Sequence, residues 1–201
     1  EPVVLSVKNS KDPWVNFGSS IPPEMEIHRT PEWNLAKLAD SFHALTSKLF
    51  SLLKIDLKIN FFREFFCIPD TQLAWLCLSQ GINLAKGSDL IYASCSPFSS
   101  ALRACAIKKF SKKPLVLDFR DAWTLNPHIQ HSFFHQWIIK KQEKSCLKNC
   151  DHLILNSRGA LKLYQETYPE YAHKFSCIPN GYDQLTPVKK NKTGGEKFQI
   201  M

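Results

Sequence analysis

Apolar and polar positions alternate with two different periods along this chain, and the switch between periods marks out its elements. Pro2 to Val7 reads as a strand, and Met25 to Arg29 alternates as a short second strand after a Pro- and Gly-containing loop. After Pro31 the period lengthens. Leu35, Leu38, Phe42, Leu45, Leu49 and Leu52 recur every three or four residues, the stripe of an amphipathic helix. Pro69-Asp70 then predicts the capped start of a helix over Thr71 to Lys86, with Gly81 as a weak point inside it.

From Asp89 onward the pattern becomes a regular alternation. Strand 89–93 leads through a Ser-rich turn into a helix over 101–110. Strand Leu115 to Phe119 leads through a long loop into a helix over 133–149. Strand 152–155 leads into a helix over 159–168, and a last short strand, 175–178, ends in Pro179-Asn180-Gly181-Tyr182-Asp183. Buried strands alternating with helices argue for a Rossmann-like α/β unit, a parallel sheet with helices on both faces.

The stretch 114–123, PLVLDFRDAW, stands at the centre of this alternation. Its apolar run ends in Asp118, Arg120 and Asp121, where a parallel strand opens on the crevice that binds ligands in open α/β sheets. Two readings of these charges stand side by side: a functional group of residues, or an Arg120–Asp118 or Arg120–Asp121 ion pair that pins a loop.

Composition narrows the partners. Lys and Arg outnumber Asp and Glu by 26 to 18, a formal net charge of +8, which favours anionic partners such as phosphorylated substrates or an acidic membrane surface. The bases are dispersed and no nucleic-acid-binding motif occurs, so nucleic acid is not expected as a partner. The segment 55–66 (IDLKINFFREFF) mixes bases and aromatics. It suits either an anionic membrane surface or a core-packed face. The seven cysteines form no C-x-x-C pair and lie in apolar stretches, as reduced, buried thiols of a cytosolic protein do; a zinc site is not expected.

The blocks PDTQLAW (69–75), SDLIYASCSPFSSAL (88–102), PLVLDFRDAW (114–123), CDHLILNS (150–157) and IPNGYD (178–183) follow in this order. That series resembles the N-terminal, acceptor-side domain of family-4-like glycosyltransferases of the GT-B type, over most of the chain from Val3 to Met201. The resemblance implies an enzyme with two Rossmann-like domains and a cleft between them. It implies transfer of a sugar from a nucleotide-sugar donor to a glycan or lipid-linked acceptor, with retention of configuration. No cofactor or bound metal is implied. Residues 1–183 would be the first domain, 184–195 an interdomain linker and 196–201 the start of a second domain. Two departures stand out. The opening strand with its Gly-rich loop is not found, and Glu24 and Glu32, which share the spacing of the family's paired glutamates, sit in a Pro-rich turn and strand without that motif's context. The chain, beginning at Glu1, is expected to start inside a longer reading frame or after processing.

Within this frame Asp121 is the expected contact to the acceptor hydroxyl. Arg120 is expected to meet a phosphate or fix Asp121 through its rigid fork of donors. Trp123 reads as a platform for a sugar or lipid, or as a loop anchor. Ser94, Ser96 and Ser99 (with Ser100) surround a helix start where hydroxyls bind an anion, or where Ser99 simply caps the helix. Asn180 reads as a turn residue and a second-rank substrate contact, as does Asp183. His128, His131 and His135 share one face if helical, either as metal ligands or as a polar entrance lining. A binding domain without chemistry, for a glycan, an acceptor or a partner subunit, is the alternative to the enzyme. A cytoplasmic protein, peripheral at the inner face of a membrane, fits either.

Overall fold

In the computed structural model of the chain, the described residues are 1–8, 24–33, 35–52, 66–128 and 132–181. The expected linker, the start of a second domain, Asp183, His131 and most of the basic aromatic segment lie outside them. The elements in order are β1 (Val3–Val7), β2 (Glu26–Thr30), α1 (Leu35–Leu52), α2 (Leu78–Lys86), β3 (Ile91–Cys95), α3 (Ser99–Ser111), β4 (Leu115–Phe119), α4 (Phe133–Asn149), β5 (His152–Leu155), α5 (Arg158–Thr167) and β6 (Phe175–Cys177). Strands β1 and β2 pair in parallel, and β3-β4-β5-β6 form a four-stranded parallel sheet in that order. With helices around them, these parallel sheets make a Rossmann-like α/β fold.

Each crossover in the larger sheet runs through a helix, and right-handed crossovers in a monotonic strand order bring α3, α4 and α5 to one face. Leu115, Leu117 and Phe119 of β4 and Leu153 and Leu155 of β5 point to that face, where they join Ala101, Ala104, Ile139, Cys146, Leu147 and Tyr164 in one buried cluster. The alternate positions Tyr92, Ser94, Val116, Asp118, His152, Ile154 and Ser176 share the other face by register. That face is mixed rather than apolar: Tyr92 is half exposed, and His152 Nε2 hydrogen-bonds Ser176 Oγ at 2.8 Å.

Three expectations need correction. The helix over Thr71 to Lys86 is broken. Asp70 caps a single 3₁₀ turn, Thr71–Ala74, accepting from Gln72 N at 3.0 Å, and α2 begins only at Leu78. Tertiary bonds interrupt it: the Trp75 indole donates to Thr30 Oγ1 at 2.7 Å and Leu76 N to Pro31 O at 2.9 Å. Gly81 is a close-packing position, since a Cβ there would lie 2.5 Å from Ile107 Cδ1 and 3.1 Å from Leu5 Cδ2. The stripe on α1 is not core among the described residues. Ala39 is the fully buried residue of the helix, whereas Leu38, Phe42 and Leu45 are exposed, although Phe42 meets Phe66 edge to face. Among the described elements the helix packs mainly on the Thr71–Ala74 turn.

Candidate functional site

Because all strands of the larger sheet are parallel, their carboxyl ends open on one edge, and the polar residues that follow them meet there. Beyond β4 come Arg120 and Asp121, beyond β5 Asn156, and beyond β6 Asn180. The Arg120 side chain crosses this edge. Its Nε pairs with Asp118 Oδ2 at 2.9 Å and its Nη1 donates to Asn180 Oδ1 at 2.6 Å. Asn156 Nδ2 donates to the Arg120 carbonyl, which ties the end of β5 to the same residue.

Asp118 makes this arrangement rigid. It is 3% exposed, at the end of the strand, and also accepts from the Tyr92 hydroxyl at 2.5 Å. A buried carboxylate is tolerated when donors and a cation surround it, and here both are present. Burial and the bond to Asp118 push the Tyr92 hydroxyl up from its ordinary value, so it stays a donor. The Arg120–Asp118 ion pair foreseen from the sequence therefore forms. It also aims the guanidinium, because a planar fork held at Nε and Nη1 has its plane fixed. Nη2 has no partner among the described residues.

Asp121 is exposed, and among the described residues its carboxylate takes part in no hydrogen bond or ion pair. Two residues on, the chain returns to the core. Trp123 is 5% exposed, stacked on Phe98 with centroids 4.8 Å apart and set edge-on to Phe119. In this position it anchors the loop, and little of its ring is left for a ligand.

The anchor rests on a residue that the sequence did not single out. Glu143 of α4 is fully buried. It accepts from Tyr164 OH at 2.5 Å, Tyr168 OH at 2.7 Å, Thr124 N at 3.3 Å and the Thr124 hydroxyl. Tyr164 in turn accepts from Trp123 N at 3.0 Å. Burial first, and then the neighbouring carboxylate, push the Tyr164 and Tyr168 hydroxyls well above their ordinary value, so both remain protonated donors. Only the position of Glu143 within the buried run Ile139, Glu143, Leu147 on α4 hints at this in the sequence. Tyr92 and Asn156 were missed as well. Tyr92 could have been found from the two-residue alternation that puts it on the face of Ser94, next to Asp118.

The serines separate. Ser94 is exposed on β3, in register with Asp118, and Ser96 is exposed just beyond the strand. Ser99, expected to cap its helix, is instead the first residue of α3 and is 1% exposed, with no partner for its hydroxyl among the described residues. Its backbone N–H donates to Asp70 Oδ2 at 2.8 Å, so one carboxylate serves both the 3₁₀ turn and the start of α3. His135 is buried in α4 and His128 is exposed in the preceding loop. Among the described residues no cluster of three potential metal ligands occurs. Asp118, Arg120, Asp121, Asn180 and Ser94 thus share one edge, while Ser99 and Trp123 belong to the interior.

The parallel sheet with a charged edge at its strand carboxyl ends has the layout of Rossmann-like domains, in which ligands bind at that edge. The family model of Glycosyltransferase Family 4 matches residues 58–184, and the chain belongs to that family. A comparison with curated proteins found no match. Glycosyl transfer is therefore the activity at family level. Among the described residues, no helix is long and apolar enough to cross a membrane.

Proposed function

We propose that this chain is the acceptor-side part of a glycosyltransferase that moves a sugar from a nucleotide-sugar donor to a glycan or lipid-linked acceptor. The observation that carries the reading is the pairing at the end of β4 of a fixed guanidinium, Arg120, with an unpaired exposed carboxylate, Asp121. Sugar transfer needs a group to take or orient the proton of the acceptor hydroxyl and positive charge near the departing phosphate. In this reading Asp121 is the catalytic contact to the acceptor hydroxyl. Arg120, held by Asp118 and Asn180, keeps Nη2 for a phosphate or acceptor oxygen. Ser94, Ser96 and Asn180 line the acceptor on the same edge.

Transfer proceeds with retention in this reading and uses no cofactor or metal, the nucleotide sugar being a co-substrate. A second domain beyond residues 184–195 supplies most of the donor site, and the assembled protein works at the cytoplasmic face of a membrane, drawn to it by its basic surface. Nucleic acid has no place in this account.

The test uses the protein with its natural flanking sequence, a panel of nucleotide sugars, and glycan and lipid-linked acceptors. The expected result is transfer with retained anomeric configuration, lost in Asp121→Ala and lowered in Arg120→Lys, whose point charge cannot replace the fork. Neither transfer nor donor hydrolysis with any donor would overturn the reading and favour a binding domain.

A further inference from the structure

The start of α4 leaves apolar surface that the fold does not cover. Phe133 is 89% exposed, and Phe134 and Trp137 are half exposed. Three such rings within five positions form an apolar patch of the kind that marks an interaction surface. Their place follows from the topology. Because β4 and β5 are parallel, α4 runs back antiparallel to them, and its first turn lies at the carboxyl edge of the sheet, the edge of Arg120 and Asp121. Ile178, just beyond β6, is exposed at the same edge.

Charge on α4 has one sign outside and one inside. Its single carboxylate, Glu143, is buried, and the charged side chains on its exposed face are Lys140, Lys141, Lys144 and Lys148. Lys141 Nζ stands 3.6 Å from the centre of the Trp137 ring, and Lys144 pairs with Glu170 at 3.0 Å. Lys140 and Lys148 have no ion-pair partner among the described residues. Lys140 lies about 10 Å along the helix axis from Phe133. Rings at the tip with ammonium groups two turns behind them match the depth profile of a lipid surface. Apolar side chains enter the headgroup boundary to about 5–10 Å, and bases stay level with the anionic headgroups. The lysines also choose between partners. A second copy packed on this face would set lysine against lysine, whereas lipid phosphates neutralise them.

We propose that the first turns of α4 dock the chain on an anionic lipid bilayer, with Phe133, Phe134 and Trp137 among the headgroups and Lys140 and Lys141 against lipid phosphates. This surface is separate in sequence from 55–66, the segment whose composition suggested a membrane. Docking by the tip of α4 turns the carboxyl edge of the sheet toward the bilayer. On the glycosyltransferase reading, on which this consequence alone rests, Asp121 then meets acceptors whose sugar is attached to a lipid.

The experiment mixes the chain, without sugar donor or acceptor, with vesicles of phosphatidylcholine alone or with about 30% phosphatidylserine, at about 0.1 M salt. It reads co-sedimentation and the quenching of tryptophan fluorescence by brominated lipid. Binding at least about tenfold tighter to the anionic vesicles is expected. Phe133→Ser, and separately the paired Lys140→Gln and Lys141→Gln, weaken it about tenfold with unfolding stability unchanged. Quenching is largely lost in Trp137→Phe, which still binds. Equal binding to both vesicles, no binding to either, parental binding by Phe133→Ser, or quenching retained in Trp137→Phe would overturn the proposal. So would a dimer in vesicle-free sedimentation that Phe133→Ser dissociates, since the face would then belong to a second copy. With no sugar present, the outcome is independent of whether transfer is found with any donor.

Discussion

Two carboxylates on either side of the same loop have opposite surroundings. Glu143 is fully buried and receives four hydrogen bonds, from two tyrosine hydroxyls and from the amide and hydroxyl of Thr124. Asp121, three residues before Thr124, is exposed and has no side-chain partner among the described residues. A carboxylate whose lone pairs are all taken by fixed donors can organise structure but has little left for a substrate. One that faces solvent from a rigid mount keeps its lone pairs for chemistry. The mount is the point of the contrast: Glu143 grips Thr124 and, through Tyr164, Trp123, while Asp118 and Asn180 grip Arg120. Asp121 sits between two fixed neighbours.

This contrast can be broken most severely from the inside. Glu143→Leu leaves the tyrosine and threonine donors buried without an acceptor, and the expected loss is about 3 kcal/mol or more in denaturant unfolding. Tyr164→Phe removes one link, the bridge from Trp123 N to Glu143, and is expected to cost about 1–2 kcal/mol by the same measurement. If Glu143→Leu proved neutral, the buried carboxylate would not be what holds the loop.

A smaller effect belongs to Asp151, a carboxylate between these extremes. It accepts from Leu115 N at 2.7 Å and pairs with Lys108 at 2.5 Å. Partial burial pushes its pKa up, but Lys108, the Leu115 amide and Lys174 outweigh it and hold the group below 3.8. A folded-state value under the unfolded one gives stability that is full above the unfolded pKa and is lost as pH falls through the folded one. Unfolding followed below about pH 4 should therefore show an acid loss that is smaller in Asp151→Asn, whose stability is already lower at neutral pH. An identical acid limb in both proteins would remove Asp151 from the acid response.

Much of the frame was legible in the sequence because its signals are local. The bounds read for β4, α4 and β5, 115–119, 133–149 and 152–155, match those observed. The end of β4 marked Arg120 and Asp121 for the same reason. What escaped depends on contacts between distant residues. The strand read at 89–93 lies at Ile91–Cys95 because pairing with Leu115–Phe119 sets its register. The cap of α3 belongs to Asp70, 29 residues before it. The role of Glu143 exists only once Thr124, Tyr164 and Tyr168 are folded around it, and the exposure of the α1 stripe depends on what the fold leaves uncovered.

In the proposed function Asp121 is held ready for chemistry and contributes nothing to holding the fold. The most direct measurement pairs unfolding stability with sugar transfer for Asp121→Ala, in the protein with its natural flanking sequence. The account predicts a stability within about 0.5 kcal/mol of the parent and transfer lowered at least about 100-fold. Parental transfer in Asp121→Ala, or a loss of stability that accounts for the lost transfer, would contradict it.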